Sequence, residues 1–185
     1  MTTAPKPLTA DALLAVPDDG KRYELVRGEL IEMPPLGIAH GIVVDNIGWP
    51  IGSFIRQNNL DFVRTSETGI YVEQNPDTVR AADYAIIARE RITQPLPERG
   101  YVYGLVPDLV AEMVSPGSSV AEAEARARMW LEAGVRLVLT AYIATKEIVA
   151  SYAGGTTQRF GDGDTLTGEP VLPGFACAVA DVFTY

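Results

Sequence analysis

Hydrophobic and polar positions alternate along much of the first half of the chain, and this pattern predicts β-strands. Residues 21–33 alternate on either side of the dipeptide Arg27-Gly28, which predicts a hairpin. Residues 60–73 and 79–88 show the same alternation, and the turn-forming residues Asn75-Pro76-Asp77 separate them. We therefore expect the first half of the chain to contribute mainly antiparallel strands.

Three other segments repeat their apolar residues at helical spacing. They are residues 10–16, residues 38–55 and residues 120–133. Ser119 and Glu122 form a capping-box sequence at the start of the third segment, which predicts where that helix begins. We therefore expect three helices, of which the second is the longest.

Nearly continuous apolar runs lie on either side of the third helix, at residues 109–114 and 135–143. Such runs are typical of strands that are covered on both faces. Further strands are predicted at residues 146–152, 156–160 and 175–183. The strand–helix–strand order, with hairpins around it, predicts an α/β (α+β) fold with a mixed β-sheet core, flanking helices and extra β-hairpins.

The length of 185 residues fits a single domain, residues 1–185, in which we expect residues 1–8 to form a flexible N-terminal arm. Hydrophobic residues make up 47% of the chain and charged residues 21%, which is an ordinary balance for a globular protein. Cys177 is the only cysteine, so an intrachain disulfide is excluded and a reducing compartment suits the chain. No signal peptide is recognisable, and no apolar run approaches the roughly 18 residues that cross a bilayer, so we expect a cytoplasmic protein without membrane contact.

The formal net charge is −9, which bears on the partners that the protein can bind. Lys and Arg side chains neutralise phosphates, so an acidic chain is unfavourable for broad, non-specific binding to nucleic acid. Clustered carboxylates nevertheless attract divalent cations. The charge balance therefore weighs against a nucleic-acid partner and leaves a metal site open.

Two acidic residues lie inside apolar segments, Asp83 within residues 79–88 and Glu112 within residues 109–114. A buried carboxylate without a partner is costly, so such residues are usually paired, located at a strand end or bound to a metal. If the two strands are neighbours, both carboxylates can point at one cation, and oxygen ligands suit Mg²⁺ or Mn²⁺. The alternative is that both face solvent or pair with arginines such as Arg80.

Two further residues could contribute chemistry, His40 and Glu24. His40 is the only histidine, and an imidazole side chain is suited to proton transfer, although a lone histidine is more often a surface residue or one with satisfied hydrogen bonds. Glu24 could equally be an exposed strand residue. The sequence contains no Walker loop, GxGxxG or HExxH motif and no nucleophile elbow, so nothing indicates the corresponding nucleotide-binding, metalloprotease or serine-hydrolase sites.

Several short strings along the chain stand in the order of a known family. They are residues 22–30, His40, residues 66–69, 77–83, 107–116, 133–135 and 172–175. With these strings the sequence resembles the Uma family of restriction-endonuclease-like proteins, a branch of the PD-(D/E)XK nuclease superfamily. The strings together span nearly the whole chain.

The resemblance implies a restriction-endonuclease-like core and Mg²⁺-dependent cleavage of DNA phosphodiester bonds. Asp83 and Glu112 would hold the metal, and Glu24 and His40 match positions that the family places around the same site. The superfamily motif has a lysine two residues after the glutamate, whereas in this family the lysine lies on the following helix. This chain has Arg126 at that helical position. Arginine can stabilise phosphate charge but cannot accept a proton.

Two hypotheses of function follow. The first is a metal-dependent endonuclease, in which Asp83 and Glu112 bind Mg²⁺ or Mn²⁺ and Arg126 contacts a phosphate of the DNA. The second is a catalytically degenerate nuclease fold that acts as a binding or assembly module, for example as a homodimer. The replacement of lysine by Arg126 and the net charge of −9 motivate the second hypothesis.

Overall fold

The computed structural model describes residues 6–185, so residues 1–5 of the predicted flexible arm lie outside the described residues. The part of the arm that is described contacts the first hairpin. The backbone N–H of Leu8 donates a hydrogen bond to the carbonyl oxygen of Gly28 at 2.8 Å. Among the described residues, no helix is both long enough and apolar enough to cross a membrane.

The described chain folds into strands and helices in mixed order. The strands are β1 (Arg22–Val26), β2 (Glu29–Met33), β3 (Phe62–Thr65), β4 (Thr68–Glu73), β5 (Thr78–Ala82), β6 (Tyr84–Ala88), β7 (Leu109–Val114), β8 (Leu137–Tyr142), β9 (Glu147–Tyr152), β10 (Thr157–Phe160), β11 (Thr165–Gly168) and β12 (Leu172–Ala178). The α-helices are α1 (Ala10–Leu14), α2 (Ile38–Gln57), α3 (Val120–Glu132) and α4 (Val179–Val182).

The central sheet has six strands in the order β10-β9-β8-β7-β6-β3. Strands β7 and β8 are parallel, and helix α3 connects them, because parallel neighbours need a crossover. The neighbouring pairs β6–β7 and β8–β9 are antiparallel. A four-stranded sheet in the order β2-β1-β5-β4 and a β11–β12 hairpin complete the fold. The prediction of a mixed sheet with flanking helices and extra hairpins is confirmed.

Strand β7 lies at the centre of the core, and its alternate side chains face opposite layers. Leu109 packs in one apolar cluster with Val43 of helix α2, and Val110 packs in another with Trp130 of helix α3. Helix α2 continues through Pro50 as one element of 20 residues. The two helices therefore cover the two faces of the sheet, and β7 carries Glu112 between them.

The predicted strands at residues 60–73 and 79–88 form one long hairpin, but each arm breaks in the middle. The inner halves β4 and β5 pair in the four-stranded sheet, and the outer halves β3 and β6 pair in the six-stranded sheet. The breaks lie at residues 66–67 in one arm and at Asp83 in the other. Asp83 therefore lies at the junction of the two sheets. The prediction that each arm of the hairpin is one continuous strand was wrong.

The predicted strand at residues 175–183 was also wrong in its second half. Strand β12 ends at Ala178, and helix α4 follows. Val179, Val182 and Phe183 are buried at helical spacing. A run of apolar residues this short fits either a strand or a helical turn, so hydrophobicity alone could not distinguish them. The pattern also missed strand β11.

Candidate active site

The carboxylates of Asp83 and Glu112 lie close together at the end of the β6–β7 pair. Tyr84 pairs with Ala111 in this antiparallel register, so the next pair along it is Asp83 and Glu112. The backbone N–H of Met113 donates to Oδ2 of Asp83 at 2.7 Å. Both carboxylates are buried. Asp83 thus lies directly before strand β6, beside Glu112 of the neighbouring strand β7.

His40 approaches Asp83 from the first turn of helix α2. Its Nε2 atom lies 3.2 Å from Oδ1 of Asp83, and its side chain is only 5% exposed. On the other side of the ring, Nδ1 lies 3.2 Å from Oγ of Ser115, which directly follows strand β7. Within the described residues, Nε2 has no partner in hydrogen-bonding geometry. The imidazole is therefore held between Ser115 and Asp83, and its buried Nε2 atom faces the Asp83 carboxylate.

The carboxylate of Glu112 is occupied at both oxygens by residues of helix α3. The indole N–H of Trp130 donates to Oε1 at 2.6 Å, and Nε of Arg126 lies 2.9 Å from Oε2. The pKa of Glu112 is raised to about 7. Burial raises this pKa most and the charge of Asp83 raises it further, whereas Arg126 and Trp130 lower it. Glu112 is therefore close to its midpoint of ionisation at neutral pH.

Glu24 of strand β1 is buried rather than exposed, and it anchors Arg126. The guanidinium of Arg126 donates to both carboxylate oxygens of Glu24 at 3.0 Å. Arg80 Nε and the Ala81 N–H donate to the same carboxylate, each at 2.9 Å. Burial raises the pKa of Glu24, but Arg126, Arg80 and the Ala81 N–H together lower it below its ordinary value. Glu24 therefore stays ionised and fixes the position of Arg126.

Arg126 bridges the two acids from the second turn of helix α3. Its side chain is 16% exposed, and its Nη2 atom also donates to the carbonyl oxygen of Ala81 at 2.5 Å. Burial lowers the pKa of Arg126, but the carboxylates of Glu112 and Glu24 raise it above its ordinary value. The guanidinium thus carries a positive charge between Glu24 and Glu112, but it cannot accept a proton.

Glu67 is a site residue that the sequence interpretation missed. It lies at the break between β3 and β4, and its backbone N–H donates to the carbonyl oxygen of Ala82 at 2.9 Å. One of its carboxylate oxygens lies within 4.8 Å of ligand atoms of both His40 and Asp83. An ion pair with Arg22 holds the side chain. The hairpin register could have revealed this residue, because Thr65 pairs with Ala85 and Gly69 with Ala81.

The residues at this junction fit a divalent cation. His40, Glu67 and Asp83 each offer a ligand atom, and these atoms lie within 4.8 Å of one another. The buried Nε2 of His40, which lacks a hydrogen-bond partner among the described residues, faces into the group. Glu112 lies beside the group but is engaged by Arg126 and Trp130. The geometry therefore assembles a ligand group that contains Asp83 and leaves Glu112 next to it.

We expect the Glu24→Gln substitution to cost about 2 kcal/mol of unfolding free energy at pH 7, because Arg126 and Arg80 lose a charged acceptor. The folded-state pKa of Glu24 lies below the ordinary value of 4.5, so its stabilising effect is present above that pH. It is lost as the pH falls through the lowered pKa. Urea denaturation of both proteins should show a difference at pH 7 that shrinks at pH 3. Glu32→Gln, at an exposed pair with Lys21, is the control.

The fold is shared with a solved structure of low sequence similarity. This is the crystal structure of a putative nuclease belonging to DUF820 from Anabaena variabilis. It superposes with a TM-score of 0.78, at 18% sequence identity, over 96% of this chain and 98% of that chain. No curated protein matches the sequence. The sequence profile of Uma2, a family described as putative restriction endonuclease, matches residues 10–180, so the chain belongs to the Uma2 family.

Proposed function

We propose that this protein is a divalent-metal-dependent endonuclease that hydrolyses DNA phosphodiester bonds. One observation carries the proposal: Asp83, Glu112 and the unpartnered Nε2 of His40 converge at the junction of the two sheets. Membership of the Uma2 family supports the same reaction class. Perturbed, buried titratable groups that cluster in this way are typical of catalytic sites.

Each residue has a distinct role in the proposed reaction. Asp83 and Glu112 hold Mg²⁺ or Mn²⁺, which when bound neutralises phosphate charge and makes water a better nucleophile. Arg126 contacts the scissile phosphate of bound DNA and stabilises its negative charge. Glu24 keeps Arg126 ionised and oriented, because its two carboxylate oxygens accept hydrogen bonds from Nη1 and Nη2 of the guanidinium. His40 lies at the side of the site that faces helix α2, and Ser115 holds its ring through Nδ1.

Nicking of supercoiled plasmid DNA tests this function. We expect the wild-type protein to nick the plasmid with Mg²⁺ or Mn²⁺ and to stop when a chelator is added. Asp83→Asn and Glu112→Gln should each reduce nicking by at least about 100-fold, because electrostatic stabilisation of the transition state is usually the largest catalytic contribution. Glu124→Gln, at an exposed position of helix α3, should cleave like the wild type.

Equal nicking by the wild type and both site variants would show that the activity comes from a contaminant, and it would remove the proposal. The proposal would also be removed if the purified wild type failed to cleave any nucleic acid with either metal. Melting curves of Asp83→Asn and Glu112→Gln distinguish a lost site from a lost fold. A variant that melts like the wild type and does not cleave has lost chemistry alone.

One observation favours a second function, a catalytically degenerate nuclease fold that serves as a binding or assembly module. Arg126 already forms ion pairs with both Glu24 and Glu112 in the free protein, so these two carboxylates need no metal to balance their charge. On this alternative, Mg²⁺ produces neither heat nor a melting shift. Arg126→Lys then creates no cleavage, although it restores the family's lysine.

The cellular context and assembly state also belong to the proposal. A single cysteine suits a cytoplasmic protein, since thiols stay reduced there. The proposed assembly is a homodimer, because β2 and β10 are edge strands whose outer backbone groups can pair with a second copy. Light scattering at several protein concentrations measures the mass directly.

A further inference from the structure

We propose that a surface of helix α2 and strand β3 binds a single-stranded segment of nucleic acid. This surface, the basic face, consists of Trp49, Arg56 and Arg64, and all three residues are exposed. The two arginines bind backbone phosphates, and Trp49 stacks on an unpaired base. The inference rests on the proposed function, because it adds a substrate-binding surface to a nuclease, but its test measures binding without metal or cleavage.

The guanidinium of Arg64 lies directly on the backbone of helix α2 at Gly52. A β-carbon added to Gly52 would lie 2.0 Å from Nη1 of Arg64, so only glycine permits this contact. Residues three and four positions apart are neighbours on the surface of a helix. Trp49 and Arg56 therefore lie on either side of Gly52, each about one turn away along the helix. This spacing brings an indole and two arginines together on one surface.

The arginines of the basic face have no carboxylate partner among residues 6–185. Most other arginines of the chain, such as Arg80 and Arg89, form ion pairs with acids. The only acidic residue of helix α2, Asp45, lies about three turns before Arg56. An unpaired guanidinium suits a phosphate, because its planar set of N–H groups matches two phosphate oxygens. Although the net charge is −9, this surface is therefore locally suited to an anion.

The hydroxyl of Tyr84 provides an independent sign that an anion belongs beside Arg64. Tyr84 is 7% exposed, and its hydroxyl has no hydrogen-bond partner among the described residues. Arg64 pairs with Ile86 in the β3–β6 register, so Tyr84, two residues before Ile86, lies on the same face of the sheet within reach of Arg64. Its ring packs against Gly48, one turn before Gly52. Because arginine only donates, the hydroxyl hydrogen still needs an acceptor, and a phosphate oxygen bound at Arg64 would supply one.

Trp49 determines which form of nucleic acid fits this surface. Its side chain is 73% exposed, whereas tryptophan is largely buried in most proteins. Proteins that bind single strands combine cationic side chains along the backbone with aromatic rings on which unpaired bases stack. A second copy of the chain could also cover the indole, but a symmetric dimer would place two basic faces against each other. The unpaired arginines beside Trp49 therefore favour the polyanion.

The basic face is continuous with the candidate active site, because His40 and Gly52 belong to the same helix. At 1.5 Å per residue, Gly52 lies about 18 Å from His40 along the helix axis. That length corresponds to about five nucleotides of a B-form strand, which rises 3.4 Å per nucleotide. A strand that lies along helix α2 therefore reaches both Arg64 and Asp83.

Fluorescence anisotropy of a labelled oligothymidylate of about 12 nucleotides tests the proposal, with the full chain and a chelator present. We expect Trp49→Ala to weaken binding by roughly 5–100-fold, the range for the loss of one base–aromatic stack. Arg64→Gln and Arg56→Gln should each reduce the slope of log affinity against log salt by about 0.7, the value for one phosphate contact on a single strand. Arg128→Gln, at an exposed position of helix α3, should bind like the wild type.

The two tryptophans of the chain provide a second measurement that needs no label. Trp130 is completely buried, so a base that stacks from solution can quench only Trp49. We expect the oligothymidylate to quench part of the wild-type emission and to leave the emission of Trp49→Ala unchanged. Inorganic phosphate and a duplex of the same length should not quench the wild type, because neither offers an unpaired base.

Tyr84→Phe separates binding from folding. The substitution removes a buried hydroxyl without a partner, so its melting temperature should equal or exceed that of the wild type. Loss of the hydrogen bond to the phosphate should weaken oligothymidylate binding by about 3–10-fold. A purely structural role of the hydroxyl would instead lower the melting temperature and leave the affinity unchanged.

Three results would overturn the inference. The first is an absence of Trp49 quenching by the oligothymidylate, even if plasmid nicking is intact. The second is equal affinity and equal salt dependence of the wild type, Trp49→Ala and Arg64→Gln. The third is a wild-type dimer that Trp49→Ala separates without any loss of oligothymidylate binding, which would make this surface an interface between copies. The expected binding without plasmid nicking would support the inference and contradict only the proposed function.

Discussion

Replacing Arg126 with alanine is expected to lower the free energy of unfolding by about 3–5 kcal/mol. Arg126 is the shared counter-ion of Glu24 and Glu112, at 3.0 Å and 2.9 Å, and both acids are buried. Removing it leaves two carboxylates without their principal positive partner. Glu112 can respond by taking up a proton, because its pKa is already about 7, whereas Glu24 keeps only Arg80 and the Ala81 N–H as partners. Chemical denaturation at pH 7.5 measures the loss.

Arg128 provides a matched control on the same helix. It is exposed, and its replacement by alanine should change the free energy of unfolding by no more than about 0.5 kcal/mol. A second test combines Arg126→Ala with Glu24→Gln. We expect the double variant to be more stable than the sum of the two single losses indicates, because the uncompensated charge is removed. Equal stability of Arg126→Ala and Arg128→Ala would show that the bridge contributes nothing.

The arrangement of the site could be predicted from the sequence where strand patterning alone determines it. Asp83 and Glu112 each interrupt an apolar run, and they were expected at one site if their strands were neighbours. Strands β6 and β7 are neighbours, and their last pair, Tyr84 with Ala111, adjoins both acids. Arg126 lies at the edge of the apolar stripe of helix α3, on the side of Trp130, so helical spacing alone directs it over the sheet toward Glu112. These features follow from periods of two and 3.6 residues, which are local properties of the chain.

Other features depend on contacts between distant segments, and local patterns do not encode them. From the sequence Glu24 could equally be an exposed strand residue, because the contacts with Arg126 of helix α3 and Arg80 of strand β5 come from distant parts of the chain. The alternation of residues also does not indicate that the two halves of one hairpin belong to two different sheets. That division is what places Glu67 beside Asp83. The site is therefore a consequence of sheet topology as much as of motif spacing.

Trp130 links the core to the site, and two substitutions separate its contributions. The side chain is completely buried, and its indole N–H donates to Oε1 of Glu112 at 2.6 Å. Trp130→Ala should lower the free energy of unfolding by about 3–5 kcal/mol, because it leaves a large cavity between helix α3 and strand β7. Trp130→Phe fills most of that space but removes the donor, so its cost should be about 1–3 kcal/mol.

The phenylalanine variant also tests whether orientation of Glu112 matters for catalysis. With the indole N–H gone, only Arg126 fixes the carboxylate, and Arg126 is also the group proposed to contact the phosphate. We therefore expect plasmid nicking by Trp130→Phe to fall by roughly 10–100-fold, as is typical when a partner that orients a metal-site residue is lost. The assay is run at a temperature where circular dichroism shows the variant fully folded. Unchanged nicking and unchanged stability would mean that Glu112 needs no donor at Oε1, and the carboxylate would then be oriented by its strand alone.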